Sequence, residues 1–222
     1  VMGHAKIIAQ QQGFSFNVEK ITTGILMGPS ISFQNIEIQA LDDEKQTIKI
    51  PFLKIKPALL AVLSPVKRVN IAADLLGGSI NGSIGLSAGD FYLNLNMAKI
   101  DTGQTTIYRK FVPLEVSAKL DGSMDLEFHW EQMEASGGKV ALTLKQIAAP
   151  AQSVSNISIP KLSISEAKID VFSSKGQLNI KSIDIGKDVK TDDLVGKITG
   201  DGKMNRLLMN SQVNGKAQFQ FS

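Results

Sequence analysis

His4 and His129 are the only histidines in 222 residues, and there is no cysteine. Thiol catalysis, disulfides and thiolate-bound metal are thereby excluded. Two imidazoles far apart in the chain also make a poor zinc site, which takes three or four protein ligands. His129 lies in FHWEQ, where strand alternation sets it opposite Phe128 and Trp130 and on the face of Glu131. That pair could act as a general base; a solvated strand face is the preferred reading. Serines are frequent, but no G-x-S-x-G elbow is present. GGSINGSIG (77–85) resembles a phosphate loop, yet it lacks the Gly-Lys-Ser/Thr ending and leads into no helix. A turn or bend is preferred. Asp42-Asp43-Glu44 lacks the spaced oxygens of a calcium loop and reads as a charged hairpin tip, as do Asp192-Asp193 and the pair Asp121 and Asp125. Lys54, Lys56, Lys67 and Arg68 could make a local basic patch but lack the interleaved rings of a single-strand binder, and a solvated edge is the preferred reading. NGS (81–83) and NIS (156–158) match the glycosylation triplet, which is common by chance. No catalytic residue, metal or cofactor is expected.

The residues between these sites belong to a globular chain. Apolar residues make up 43% and charged ones 20%, too apolar for disorder. The net charge is +3 with both signs interspersed, so the pI of 9.0 is no argument for nucleic acid. No run reaches the ~20 apolar residues of a membrane helix. The opening VMGHAKIIAQQQ has no basic-then-apolar signal pattern.

Two short helices are expected near the N-terminus. One spans 2–12 and stops at Gly13; the other spans 57–64 between Pro57 and Pro65. Nearly everything else alternates. Ile48, Ile50 and Phe52 share a face, as do Leu93, Leu95 and Met97; Leu126, Phe128 and Trp130; Val140, Leu142 and Leu144; and Ala217, Phe219 and Phe221. Two places break the rhythm, Phe33 to Ile36 and Ile180 to Ile183, as a β-bulge would. Period 2 recurring about a dozen times with regular turns is the pattern of an antiparallel β protein with one wet and one dry face. Two short helices cannot cover so much dry sheet. The expectation is therefore one long, strongly curved antiparallel sheet, folded over or half-closed, with Gly77, Gly78, Gly82 and Gly85 as its bending points. LLGGSINGSIGL (75–86) is loosely echoed by KLDGSMDLEF (119–128) and DLVGKITGDGKM (193–204). AAPAQSVSN (148–156) reads as an exposed connection inside a single domain, 1–222.

Several of these stretches together resemble the periplasmic domain of the type II secretion protein N family. They are LLGGSINGSIGL with FYLNLNMAKID, FVPLEVSAKLDGSMDLEF, SGGKVALTLKQI, IPKLSISEAKIDVFSSKGQLNIKSIDI and DDLVGKITGDGKM. VEKITTGILMGPSISFQNIEI followed by PFLKIKPALLAVLSP is also similar to the start of AsmA-like envelope proteins. The resemblance runs from about Phe14 to the end and carries no catalytic signature. It implies a non-enzymatic accessory of a bacterial type II secretion system, whose partners are other secretion proteins. The β domain would be periplasmic, with an inner-membrane anchor helix upstream of Val1. The AsmA-like features imply instead a curved sheet whose apolar groove binds or transfers lipid.

Two fates of the dry face stay open. Leu93, Leu95, Met97, Leu126, Phe128, Trp130, Leu142 and Leu144 either line a trough for acyl chains, at ~0.8 kcal/mol per buried CH₂, or pack against one another as a core. The core is favoured, because 222 residues make a short carrier.

Overall fold

The computed structural model describes residues 7, 10, 11, 13–25, 28–43, 46–58, 65–110, 114–132, 135–154, 157–203 and 212–222. Fourteen strands follow one another: β1 (Phe14–Gly24), β2 (Ser30–Ala40), β3 (Thr47–Pro57), β4 (Lys67–Leu75), β5 (Gly78–Leu86), β6 (Asp90–Asp101), β7 (Ser117–His129), β8 (Gly137–Ala149), β9 (Gln152–Val154), β10 (Ile157–Ile159), β11 (Leu162–Ser174), β12 (Gln177–Ile185), β13 (Leu194–Lys203) and β14 (Gln212–Phe221). Twelve of them form one antiparallel meander in chain order. Only the small hairpin β9–β10 stands apart, inserted between β8 and β11. The expected exposed connection at 148–156 thus begins as the end of β8 and continues into that hairpin.

The alternation seen in the sequence lines up across the whole sheet. One dry row runs Ile21, Phe33, Leu53, Ala73, Ile80, Met97, Gly122, Leu142, Ile169, Ile183, Ile198, Ala217, one residue from each of the twelve strands. The row beside it includes Ile55, Ile71, Gly82, Leu95, Met124, Val140, Val171 and Ile180. On the opposite face a wet row runs Thr22, Ser32, Lys54, Ala72, Asn81, Asn96, Ser123, Ala141, Asp170, Ser182.

The expected curl is not there. The sheet is neither closed nor strongly curled: β1 and β14 end the strand order, and each pairs on one side only. The chain exposes 14313 Å² at a mass of 23.9 kDa, against about 9,900 Å² for a compact monomer of that mass. Among the described residues the sheet is a single layer, and the side chains of its dry face shelter chiefly in their lateral neighbours. Among the described residues only Ile36, Ala40, Ile100, Ala118, Ala149, Ile164 and Ala167 are buried apolar residues.

The helices expected near the N-terminus are not described elements. Of 2–12 only Ile7, Gln10 and Gln11 are described, all three α-helical and followed by a turn at Gly13, and 59–64 of the second lie outside the described residues, while Pro57 ends β3. Two 3₁₀ turns lie at Thr102–Gln104 and Ile107–Lys110, between β6 and β7.

Those turns fill a gap. The β4–β5 hairpin is short, closed at Leu76 and Gly77 with φ of 49° and 72°, the two positive values of a type I′ turn that leaves glycine free of strain. The β6–β7 connection passes beside this short hairpin. Thr105 Oγ1 donates to Thr47 O at 2.8 Å, Asp101 N donates to Leu76 O at 2.9 Å, and Ala118 N donates to Thr102 Oγ1 at 2.9 Å. All seven buried apolar residues lie on this side of the dry row that begins at Ile21, the base. The opposite side, through Leu86, Phe91 and Trp130, is the rim.

Both rhythm breaks are real but of two kinds. Between Ile180 and Ile183 the register shifts against both neighbours, as expected of a bulge. Between Phe33 and Ile36 no residue is inserted. Asn35 instead takes φ 50°, and the pairing is interrupted at Glu19, Asn35 and Pro51 together. Val18 to Ile21, Ile36 to Phe33 and Ile50 to Leu53 all skip by three, so the three strands change face in step.

Candidate functional site: an uncovered apolar face and a polar network at its rim

Seven of the eight residues expected on the dry face, Leu93, Leu95, Met97, Leu126, Phe128, Leu142 and Leu144, lie on one face in adjacent strands. Leu93 is paired with Leu126, and Met97 is linked through Gly122 to Leu142. Trp130, just past β7, is held by its N–H on Gly89 O at 2.9 Å and stacks on Phe128 with ring centroids 6.1 Å apart. Phe128 meets Phe91 at 6.3 Å. Trp130 is 55% exposed, and the other seven are half-buried. Sequence reasoning stopped at three strands. The alternation that would have extended the face was already visible in Ile169, Ile183 and Ile198 on one side and in Ile80, Leu53 and Phe33 on the other.

The glycines divide by role. Gly77 turns the chain. A Cβ on Gly78 would strike the backbone of Ala98–Ile100, and one on Gly82 would strike Asn94 O. Both glycines therefore mark where neighbouring strands approach too closely for a side chain. At buried Gly85 the missing side chain leaves room for Arg68 and Tyr92, and the Arg68 guanidinium carbon lies 5.5 Å from the Tyr92 ring centre. Of the four neighbouring basic residues, Lys54, Lys56 and Arg68 share the wet face, while Lys67 lies opposite Leu86 on the dry one.

His129 sits in a network that the sequence did not reveal. Its Nδ1 lies 2.7 Å from Asp90 Oδ1 and its Nε2 3.1 Å from Glu127 Oε1; Glu131 is not the partner. Ser87 Oγ donates to Asp90 Oδ2 at 2.8 Å, and the His129 N–H donates to the Oγ of buried Ser136 at 2.9 Å. The hydrogen bond to Asp90, against the opposing effect of burial, lifts the imidazole above its ordinary pKa. Asp90 is lowered by Ser87 first and His129 second. Burial, with the charges of Asp90 and Glu127, raises Tyr92. The order of groups is wrong for hydroxyl activation: Ser87 bonds the carboxylate rather than the imidazole, and both ring nitrogens face carboxylates.

The acidic pairs are structural. Asp121 accepts from Lys99 N at 2.9 Å, at the β6 bulge, and from Lys145 Nζ at 3.3 Å. Asp192 is no charged hairpin tip, being 1% exposed. Its carboxylate accepts from the backbone N–H groups of Lys187, Asp188 and Ser165 and from Ser165 Oγ. These bonds, led by Lys187 N–H, hold it far below the usual carboxylate range against the cost of burial. No group of three or more potential metal ligands occurs among the described residues, and none of their helices is long and apolar enough to cross a membrane.

Fold and faces together define a single-layer antiparallel sheet with one apolar surface, one polar surface and two unpaired edges. No family model, curated protein or solved structure matches the chain.

Proposed function

We propose that the chain is a non-enzymatic accessory component of a bacterial type II secretion system, acting in the periplasm as part of an inner-membrane-anchored protein. The reading rests on the resemblance of its glycine-punctuated strands to the protein N family. One observation supports a binding role above all: a dry row crosses every strand of an open sheet, with no second layer over it among the described residues. Large exposed apolar surfaces mark interaction sites. The rim network agrees with a non-covalent role, since its imidazole is held by two carboxylates and, among the described residues, Ser87 bonds Asp90 rather than the ring. The partners are then other secretion proteins. The test is deletion of the gene in its host, followed by assay of a type II substrate. Export lost with the outer membrane intact is expected; unchanged export would refute the assignment.

The same uncovered face supports a second reading, an AsmA-like lipid-binding domain. Lipid mass spectrometry of organic extracts from gently purified protein decides it. Stoichiometric phospholipid that disappears in Leu95→Asp would establish a lipid face, and a blank matching an unrelated soluble control would remove it.

A further inference from the structure

We infer that His129 is a proton-operated latch at the rim: its doubly protonated ring holds the end of β7 and Trp130 in place, and loss of one proton loosens them. The inference needs only the uncovered apolar face, and not the secretion or lipid reading of it. Both ring nitrogens face carboxylate oxygens, Nδ1 at 2.7 Å from Asp90 and Nε2 at 3.1 Å from Glu127. A carboxylate only accepts, and a neutral imidazole has a single N–H. Both contacts are hydrogen bonds only in the imidazolium form. In the neutral form the ring turns a lone pair on one of the two carboxylates.

The surroundings decide which contact is lost. Asp90 is fixed by Ser87 Oγ and lies directly across from His129 in the β6–β7 ladder. Glu127 is 49% exposed and shares a cleft with Lys139 of β8 and Lys175 of the β11–β12 turn. Glu127 therefore leaves, drawn to those cations. No other group replaces the lost charge. Tyr92 of β6 brings a hydroxyl within hydrogen-bonding reach of both carboxylates, and Arg68 of β4 meets the Tyr92 ring. Gly137 of β8, opposite Glu127, carries no charge. Glu131 borders a small cavity with Asp90 and His129 and adds a third acid.

The latch acts on the aromatic end of the open face. Past the ladder the chain is tied by His129 N–H to Ser136 Oγ and by Trp130 N–H to Gly89 O. The Asp90–imidazolium pair joins the same two segments as the Trp130 bond. Losing the charge weakens that tie and leaves Asp90 and Glu127 repelling each other across the ring. Trp130, 55% exposed, then rests on its backbone bond and its stack on Phe128. A titrating group on the polar face thereby governs an aromatic anchor of the apolar one.

Trp130 is the only tryptophan, so time-resolved fluorescence anisotropy reads its local rotation. Proton NMR of the His129 Cε1–H reads the ring. His4 is the only other histidine, so the His129 signal is the one missing in His129→Gln. Between about pH 5 and 9, the amplitude of fast Trp130 rotation is expected to rise in one step. That step should coincide with the His129 titration and lie above 6.5, because the Asp90 hydrogen bond favours the proton. His129→Gln is expected to abolish the step, and Asp90→Asn to move step and titration together to lower pH. Circular dichroism checks the fold of each variant, and the coincidence of the two wild-type midpoints needs no variant. A Trp130 amplitude that stays flat while His129 titrates, a titration below 6.5, or a step that survives His129→Gln overturns the inference.

Discussion

The base and the rim of the sheet are built from the same alternating strands, yet they hold their apolar side chains differently. At the base, Ile100, Ala118, Ala149 and Ile164 are buried because chain returns across them: the β6–β7 connection bonds to Thr47, and the turn after β12 is stapled by Asp192 to Ser165. At the rim, Leu86 and Trp130 are 57% and 55% exposed, and no described segment returns. Stability therefore concentrates at the base, and the rest of the dry face is left available for contact.

The sharpest way to break this contrast is to crowd the base. Gly78→Val puts a branched side chain into the backbone of Ala98–Ile100 at the β6 bulge. The expected result is loss of folding, or at least about 4 kcal/mol by denaturant melt. A near-normal melt would show that the strands separate freely there. Next comes a matched pair. Ile100→Ala, 4% exposed in the native chain, is expected to cost about 3 kcal/mol, and Leu95→Ala on the open face about 1 kcal/mol. Equal costs would mean that the dry face is as well covered as the base.

Asp192→Ala strands the N–H groups of Lys187, Asp188 and Ser165, for an expected loss of about 2–4 kcal/mol. The sign in pH follows from its depressed native pKa. The contribution is present above the unfolded value of about 3.9 and is lost as pH falls through the native one. Acid denaturation of wild type should therefore be steeper than that of Asp192→Ala. At the rim the sign reverses. The raised pKa of His129 adds stability that is full below about 6.5 and is lost as pH rises through the native value. His129→Gln should lower Tm by about 1–3 °C at pH 5.5 and by less at pH 8.5. A larger effect at the alkaline end would contradict the Asp90 hydrogen bond.

What was legible in the sequence was whatever repeats with period 2: the strands, their faces and the dry face of Leu93, Leu95, Leu126 and Leu142. The bulge at Ile180 to Ile183 was legible too, because an extra residue displaces an apolar one by a single step. Closure was not. A dry face demands cover only if the fold is compact, and alternation says nothing about whether a second layer exists. Nor could the network of His129, Asp90 and Glu127 be seen, because Asp90 is brought in from a neighbouring strand 39 positions away. Asp192 looked like a surface acid because its ligands are backbone N–H groups, which leave no trace in residue type.

The smallest effect tests the glycine reading most cleanly. Ser79 follows Gly78 in the same strand but faces the wet side, paired with Asp74 and Ala98. Ser79→Ala keeps the Cβ and the backbone ladder and removes only a hydroxyl, so its melt should stay within about 0.5 kcal/mol of wild type. The adjacent Gly78→Val should fail in the same experiment. If Ser79→Ala were as damaging as Gly78→Val, the sensitivity would belong to the segment as a whole. The close approach of β5 to β6 at Gly78 would then no longer explain why glycine stands there.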